Sequence, residues 1–89
     1  MYFNIIMQER NGEQEYVYDF LIKANNMEEA TRKANHHVKT WYMDPEVFYD
    51  VEIDKYIFFG GSIIVWYTGP YKTTKKAFIE MITDQYIIK

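Results

Sequence analysis

The dipeptide Asn11-Gly12 constrains the fold more than any other feature, because it lies between two stretches in which apolar and polar residues alternate. Asn-Gly is the strongest short signal for a tight hairpin turn, since both residues tolerate positive φ angles. The sequence therefore predicts an antiparallel hairpin over residues 2–24. A turn centred on this dipeptide pairs six apolar residues on one face: Met7 with Tyr16, Ile5 with Tyr18, and Phe3 with Phe20.

A helix is predicted directly after this hairpin, over residues 26–43. Asn26 is a favourable N-cap, and Glu29 follows three residues later, where a carboxylate suits the positive end of a helix. Asp44-Pro45 ends the pattern. The apolar residues recur at helical spacing and form one stripe: Met27, Ala30, Ala34, Val38 and Trp41.

From residue 47 the hydrophobic period changes to two, which predicts a second hairpin over residues 47–68. Gly60-Gly61 forms its turn, and Gly69-Pro70 is expected to stop its second strand. A break near Asp54-Lys55, which would give three short strands instead of two long ones, stays open. The expected cross-strand pairs are Phe58 with Ile63, Tyr56 with Val65, Ile57 with Ile64, and Lys55 with Trp66.

The remaining residues predict a last helix over 74–86, with Thr73 or Thr74 as its cap. The element order is then ββαββα, an α+β fold with a four-stranded, mainly antiparallel sheet and two helices packed on one face. If the third strand lies beside the first, the strand order is 2-1-3-4 and every ladder is antiparallel. A chain of 89 residues suits a single compact domain over 1–89.

The composition argues against several kinds of chemistry. The chain has no cysteine, which excludes a disulfide framework, a thiolate zinc site and a cysteine nucleophile. Its only serine, Ser62, lies in a predicted turn with no histidine near it in sequence. His36 and His37 are neighbours, so they point about 100° apart on a helix, which is a poor arrangement for a shared metal. We therefore expect no enzymatic activity, no metal and no cofactor.

Location and broad partner class follow from hydrophobicity and charge. The longest apolar run is broken by Gly60-Gly61 and falls short of the ~20 residues that cross a bilayer. The first residues lack a basic leader and a cleavage site, so we expect a cytoplasmic protein without membrane contact. The net charge of −3 disfavours general nucleic-acid binding.

One face of the predicted strand over 47–59 is acidic and then aromatic. Along a straight strand its carboxylates would stand about 6.6–6.8 Å apart, similar to the phosphate spacing of a nucleic acid. If the helices cover the opposite face, this face is exposed and marks an interaction surface. Two alternatives stay open: a solvated acidic strand with core aromatics, and a homodimer contact. The predicted partner-binding residues are Asp50, Glu52, Asp54, Tyr56, Phe58 and Tyr67.

A second candidate surface is basic. Lys72, Lys75 and Lys76 lie at the start of the predicted last helix, where free backbone N–H groups would favour an anion or phosphate. The alternative is that these lysines only keep an acidic protein soluble. Anion binding here would suit a small nucleic-acid-binding module, which is the less favoured function.

The stretch from Tyr16 to Trp41 carries a resemblance to known proteins, through a strand that ends in FLIKA and the capped helix NNMEEATRKA. Its layout resembles small proteins encoded by phages and mobile elements, including anti-CRISPR inhibitors. The hairpin before an amphipathic helix is also similar to antitoxins of the HicB type, whose proline-containing strand-end motif is missing here. The first resemblance implies a non-enzymatic inhibitor in the host cytoplasm. Such a protein would occlude a site on a host nucleic-acid-handling or defence complex.

Overall fold

The computed structural model describes residues 1–84, which form an α+β domain with a five-stranded antiparallel sheet and two helices. A short 3₁₀ turn at Phe59–Gly61 joins the fourth and fifth strands. The predicted end of the last helix, at residues 85 and 86, lies outside the described residues. The elements in chain order are β1 (Tyr2–Asn11), β2 (Gln14–Lys23), α1 (Met27–Lys39), β3 (Phe48–Asp50), β4 (Lys55–Phe58), β5 (Ile63–Thr73) and α2 (Lys75–Asp84).

The sheet has five strands rather than the predicted four, because the stretch expected to form one strand over 47–59 is divided. Residues 51–54 form a turn between β3 and β4, and Asp54 has a φ of 55°. A left-handed residue cannot continue a strand, and aspartate is one of the few residue types that tolerates this region. The break that the sequence left open near Asp54-Lys55 therefore forms and gives three strands, of which the last is long rather than short.

The strand order is β2-β1-β5-β4-β3. The two hairpins lie side by side with β1 in the interior of the sheet, as expected. The predicted neighbour of β1 is wrong, because β1 pairs with the last strand, β5, and not with the third strand. β5 has 11 residues and matches the 10 residues of β1, whereas β3 and β4 have three and four. The central position therefore goes to the one late strand that can pair along the whole of β1.

The first hairpin has its predicted faces but a register shifted by two residues. Asn11 pairs with Gln14, so the turn lies at Gly12 and Glu13, with a φ of 64° at Gly12. Asn11 stays in the strand because it also pairs with Ile63 of β5. An even shift leaves every side chain on its expected side of the sheet. The observed pairs on the covered face include Met7 with Tyr18, Ile5 with Phe20, and Phe3 with Ile22.

The register of the second hairpin is confirmed. The ladder pairs Tyr56 with Val65, Ile57 with Ile64, and Phe58 with Ile63. Just beyond the ladder, the Lys55 ammonium lies 4.3 Å from the centre of the Trp66 ring.

Gly69-Pro70 does not stop the last strand, since β5 continues to Thr73. The register between β1 and β5 shifts between Asn4 and Ile6, so a bulge in β5 absorbs the extra residue. Gly69 lies in this bulge with a φ of 102°. The predicted stop is wrong because pairing with β1 holds the chain in the sheet on both sides of the bulge.

Helix α1 begins as predicted and ends earlier. The Asn26 side chain accepts a hydrogen bond from the N–H of Glu29 at 2.8 Å, which confirms the cap. The helix ends at Lys39, where Thr40 donates its hydroxyl to the carbonyl of His36 at 2.7 Å. The predicted extension to residue 43 fails because the following residues are bonded to the sheet, as described below.

Within residues 1–84, α1 is the helix that contributes buried side chains to the core over one face of the sheet. Its buried side chains are Ala30, Ala34 and Val38. The sequence predicted that both helices cover the core. In α2, however, none of the residues 75–84 is buried, so this helix adds no buried side chain. The main cluster of buried side chains under α1 is Met7, Val38, Tyr56, Phe58, Ile63 and Val65.

Candidate functional site

The aromatic residues predicted to anchor a partner lie on the face that α1 covers. Phe58 is 0% exposed and Tyr56 is also buried, so neither can contact a partner directly. Tyr67 is half-buried and donates its hydroxyl to the Asn35 side-chain oxygen at 2.5 Å. The exposed aromatic face was predicted on the condition that the helices cover the other side. In the structure, α1 covers the face that carries Tyr56 and Phe58, so both residues belong to the core.

The predicted acidic residues do not follow one straight strand. Asp50 ends β3, while Glu52 and Asp54 lie in the turn before β4. An Asp50 carboxylate oxygen accepts the N–H of Glu52 at 3.0 Å, and Asp54 accepts the hydroxyl of Tyr49. The predicted regular spacing along a strand face is therefore wrong. The carboxylates instead surround the end of a short hairpin.

Exposed apolar side chains accompany these acids, and the sequence analysis missed them. Val51 is 77% exposed in the turn, and the loop residue Met43 is 87% exposed with a φ of 53°. The period-two pattern placed Val51 on the strand face expected to lie under the helices, whereas Met43 was expected inside the helix over 26–43. The turn at 51–54 holds no glycine, asparagine or proline to signal it. We call the following set the tip surface: Phe48, Tyr49, Asp50, Val51, Glu52, Ile53 and Asp54.

A groove of about 710 Å³ lies behind the tip surface, beside the C-terminal half of α1. Its wall on the helix side is formed by Asn35 and Lys39. Lys39 forms no ion pair with any carboxylate of residues 1–84. The other lining residues come from the second hairpin and from β5: Val47, Phe48, Tyr49, Asp54, Tyr56, Trp66, Tyr67 and Gly69.

The tyrosines of the groove keep their protons to unusually high pH. The hydrogen bond to Asp54, with a smaller contribution from burial, raises the pKa of Tyr49 to about 12. Burial raises the pKa of Tyr56 and of Tyr67, and the nearby Asp54 carboxylate acts in the same direction. At neutral pH these hydroxyls are therefore hydrogen-bonding groups and not charges or bases.

Two buried carboxylates hold the loop that leads from α1 to β3. Glu9, which is 2% exposed, accepts hydrogen bonds from Trp41 Nε1 at 3.3 Å and from the Tyr42 hydroxyl at 2.5 Å. Asp44 accepts the N–H of Phe59 at 2.7 Å. Buried carboxylates are tolerated only when donors satisfy them, so these bonds tie the loop to the sheet and position the tip surface.

The ionisation of the tyrosines makes a testable prediction about alkaline stability. Burial and the hydrogen bond to Glu9 raise the pKa of Tyr42 to about 12. The pKa of Tyr49 is also about 12, whereas an unperturbed tyrosine has a pKa of 10.0. Between these pH values the unfolded chain binds fewer protons than the folded one, so the free energy of unfolding falls as pH rises. Urea unfolding followed by tryptophan fluorescence should give lower stability at pH 11 than at pH 9. Equal stability at both pH values would contradict these pKa shifts.

The three lysines of the basic surface lie around the junction of β5 and α2. Lys72 is in β5, and Lys75 and Lys76 open α2, whose first turn is capped by a hydrogen bond from the Ala77 N–H to Thr74 Oγ1 at 3.0 Å. The Lys76 ammonium lies 4.0 Å from the Glu80 carboxylate. The hydrogen bond from Ala77 confirms Thr74 as the cap. Anion binding by the three lysines stays a prediction.

The described residues 1–84 contain no cluster of three or more histidine, aspartate or glutamate side chains placed to hold a metal ion. Within the same residues, neither helix has the length and hydrophobicity needed to cross a membrane. His37 packs edge-on against Phe20, with ring centres 4.5 Å apart, and burial lowers its pKa.

The chain was compared with protein-family models, with curated proteins and with solved structures. The resemblance to small phage-encoded inhibitors stays a prediction, because none of these comparisons returned a match.

Proposed function

We propose that this domain is a non-enzymatic interaction module that binds another protein through the tip surface and thereby occludes a site on that protein. The observation that carries this proposal is the exposure of large apolar side chains in β3 and in the turn between β3 and β4, most of all Val51. A soluble domain rarely leaves such side chains together in water unless they contact a partner.

The charges around the tip surface define the kind of partner. Asp50 and Glu52 lie beside Val51, and Asp54 follows within the same turn. Carboxylates around an apolar centre complement a surface that presents arginine or lysine around an apolar pocket. Nucleic-acid-handling proteins have such basic surfaces, which is why occlusion of a nucleic-acid site in the cytoplasm is the favoured form of the proposal.

The support of the tip surface fits this function. A contact surface binds more tightly when its conformation is already formed, since little entropy is then lost on association. Here Glu9 and Asp44 hold the preceding loop, and the rings of Tyr49 and Tyr56 lie 5.0 Å apart across β3 and β4. These contacts therefore hold the end of the β3–β4 hairpin in one conformation.

The test uses matched pairs of variants. Protein captured from lysate of the source cells is identified, purified and titrated against each variant. We expect Glu52→Lys and Val51→Ser each to weaken binding by at least about tenfold, the size expected for a central contact worth about 1.4 kcal/mol. Glu13→Lys and Val17→Ser make the same changes at exposed positions of the first hairpin, and they should change the affinity less than twofold.

Three results would overturn the proposal. One is a tip variant that binds the purified partner as the original protein does, and another is equal loss in the control variants. The third is light scattering that gives a stable dimer in the original protein and a monomer in Val51→Ser, which would make the tip surface a homodimer contact. Binding to nucleic acid that weakens steeply with salt and depends on Lys72, Lys75 and Lys76 would instead support the less favoured function.

A further inference from the structure

One side of β5 is without a neighbouring strand over most of its length. β1 pairs with β5 from Ile63 to Thr73, whereas β4 pairs only with its residues from Ile63 to Val65. Within residues 1–84, no other strand continues the ladder on the β4 side. An unpaired strand edge offers a row of backbone N–H and C=O groups to any extended chain that can reach it.

The gap exists because β4 starts late. In the observed register, a longer β4 would place Asp54 opposite Tyr67 and Ile53 opposite Thr68. Instead, Asp54 has a φ of 55° and residues 51–54 turn away from β5. The space that a straight strand would fill is therefore left open.

This open edge and the groove are the same region of the molecule. Trp66, Tyr67 and Gly69 line the groove from the side of β5, and Pro70, which has no N–H, follows directly. The usable edge thus runs from Trp66 to Gly69, about 10 Å at the rise of a strand. Its length and its backbone groups fit a short extended peptide.

The charges at this edge favour an acidic peptide. Lys39 lies on the helix side of the groove, and Lys55 lies over the Trp66 ring on the other face of the sheet. Neither forms an ion pair with a carboxylate of residues 1–84. The one carboxylate of the groove, Asp54, already accepts the hydroxyl of Tyr49.

We propose that the edge of β5 from Trp66 to Gly69 binds an extended acidic segment of the partner protein as an added sixth strand of the sheet. This inference rests on the proposed function and names a second contact of the same partner. Main-chain hydrogen bonds to β5 would supply the affinity, and pairing of carboxylates with Lys39 would supply the preference for acidic segments.

The test joins a defined peptide to this protein, so that weak binding cannot hide the result. The peptide Thr-Val-Glu-Val-Glu-Thr is ligated to the N-terminus through a flexible Gly/Ser linker of about 12 residues. The average span of this linker, about 19 Å, matches the distance along β1 from the N-terminus to the residues that pair with Trp66 and Thr68. Tethering gives an effective peptide concentration of about 1 mM. We expect hydrogen exchange measured by NMR to slow at least tenfold at backbone amides within Trp66–Gly69, compared with a linker alone.

Two matched peptides and two variants separate the contributions. N-methylation of alternate peptide bonds removes the main-chain donors and should abolish the protection. Replacing both glutamates by lysine should weaken it, and Lys39→Glu should reverse this preference. Lys23→Glu, which changes an exposed lysine at the end of β2, should leave the preference as it was.

Unchanged exchange within Trp66–Gly69, protection that survives N-methylation, or protection confined to the outer strand β2 would each overturn this inference. Its failure can be distinguished from failure of the proposed function, since the tethered peptide is also measured in Glu52→Lys. That variant reverses one of the three charges of the tip surface and leaves the groove residues unchanged.

Discussion

Replacing Phe58 with alanine is expected to destabilise the domain by about 3–5 kcal/mol, the range for truncating a large core side chain. Phe58 is completely buried among Val38, Val65 and their neighbours, so the vacated space cannot be filled by water or by small movements of the surface. Urea unfolding monitored by circular dichroism measures the loss. The result also decides whether Phe58 is a core residue or an exposed partner anchor, because an exposed side chain could be truncated with little loss of stability.

The neighbouring residue supplies the control for this prediction. Phe59 is 50% exposed, so Phe59→Ala should cost less than about 1 kcal/mol although it removes the same atoms. The total stability of a small domain is about 5–15 kcal/mol, so near the lower end of that range Phe58→Ala leaves too little folded protein to measure. Phe58→Leu then serves as the milder variant, with an expected loss of about 1–2 kcal/mol. Equal losses at the two positions would contradict the placement of Phe58 in the core.

Replacing Gly69 with alanine should produce the second large effect, a loss of about 2–5 kcal/mol. Part of this loss is backbone strain, about 1–2 kcal/mol, because a residue with a Cβ atom rarely adopts a φ of 102°. The rest is a steric clash, because the new Cβ would lie 2.8 Å from the backbone oxygen of Asn4. That oxygen belongs to β1 and cannot move without disturbing the ladder, and forced overpacking costs about 1–3 kcal/mol.

Gly61 separates the two contributions. Its φ of 106° is nearly the same, but a Cβ built there meets nothing within 4 Å. Gly61→Ala should therefore lose only the strain, and the difference between the two variants in thermal or urea unfolding measures the clash. If both variants lose the same stability, the close approach of β5 to Asn4 is not present in solution.

Several local features could be predicted from the sequence because they depend on neighbouring residues. The Asn26 cap requires only a side-chain oxygen three residues before a free N–H, and it forms as predicted. The register of β4 and β5 follows from the apolar pattern beside Gly60-Gly61. The faces of the first hairpin were also predictable, since alternation survives a shift of two residues.

The candidate site was harder to predict because it depends on which side of the sheet α1 covers. The stretch over 47–59 has apolar residues on both sides after Lys55, so either face could have been buried. The sequence predicted the acids Asp50, Glu52 and Asp54 as partner-binding residues, which stays a prediction, but it grouped them with aromatic residues that the structure buries. It placed Phe58 outside and overlooked Val51.

By itself, the sequence determined the chemical inventory and the local geometry: no cysteine, an acidic balance, an α+β element order and a hairpin before a capped helix. The tertiary structure decided the position of β5 beside β1, the turn at Asp54, the burial of Phe58 and the open edge at Trp66. The physical reason is that caps and turns are set by interactions within a few residues. Strand neighbours and covered faces are set by competition among distant segments for the same partner, which a local pattern does not record.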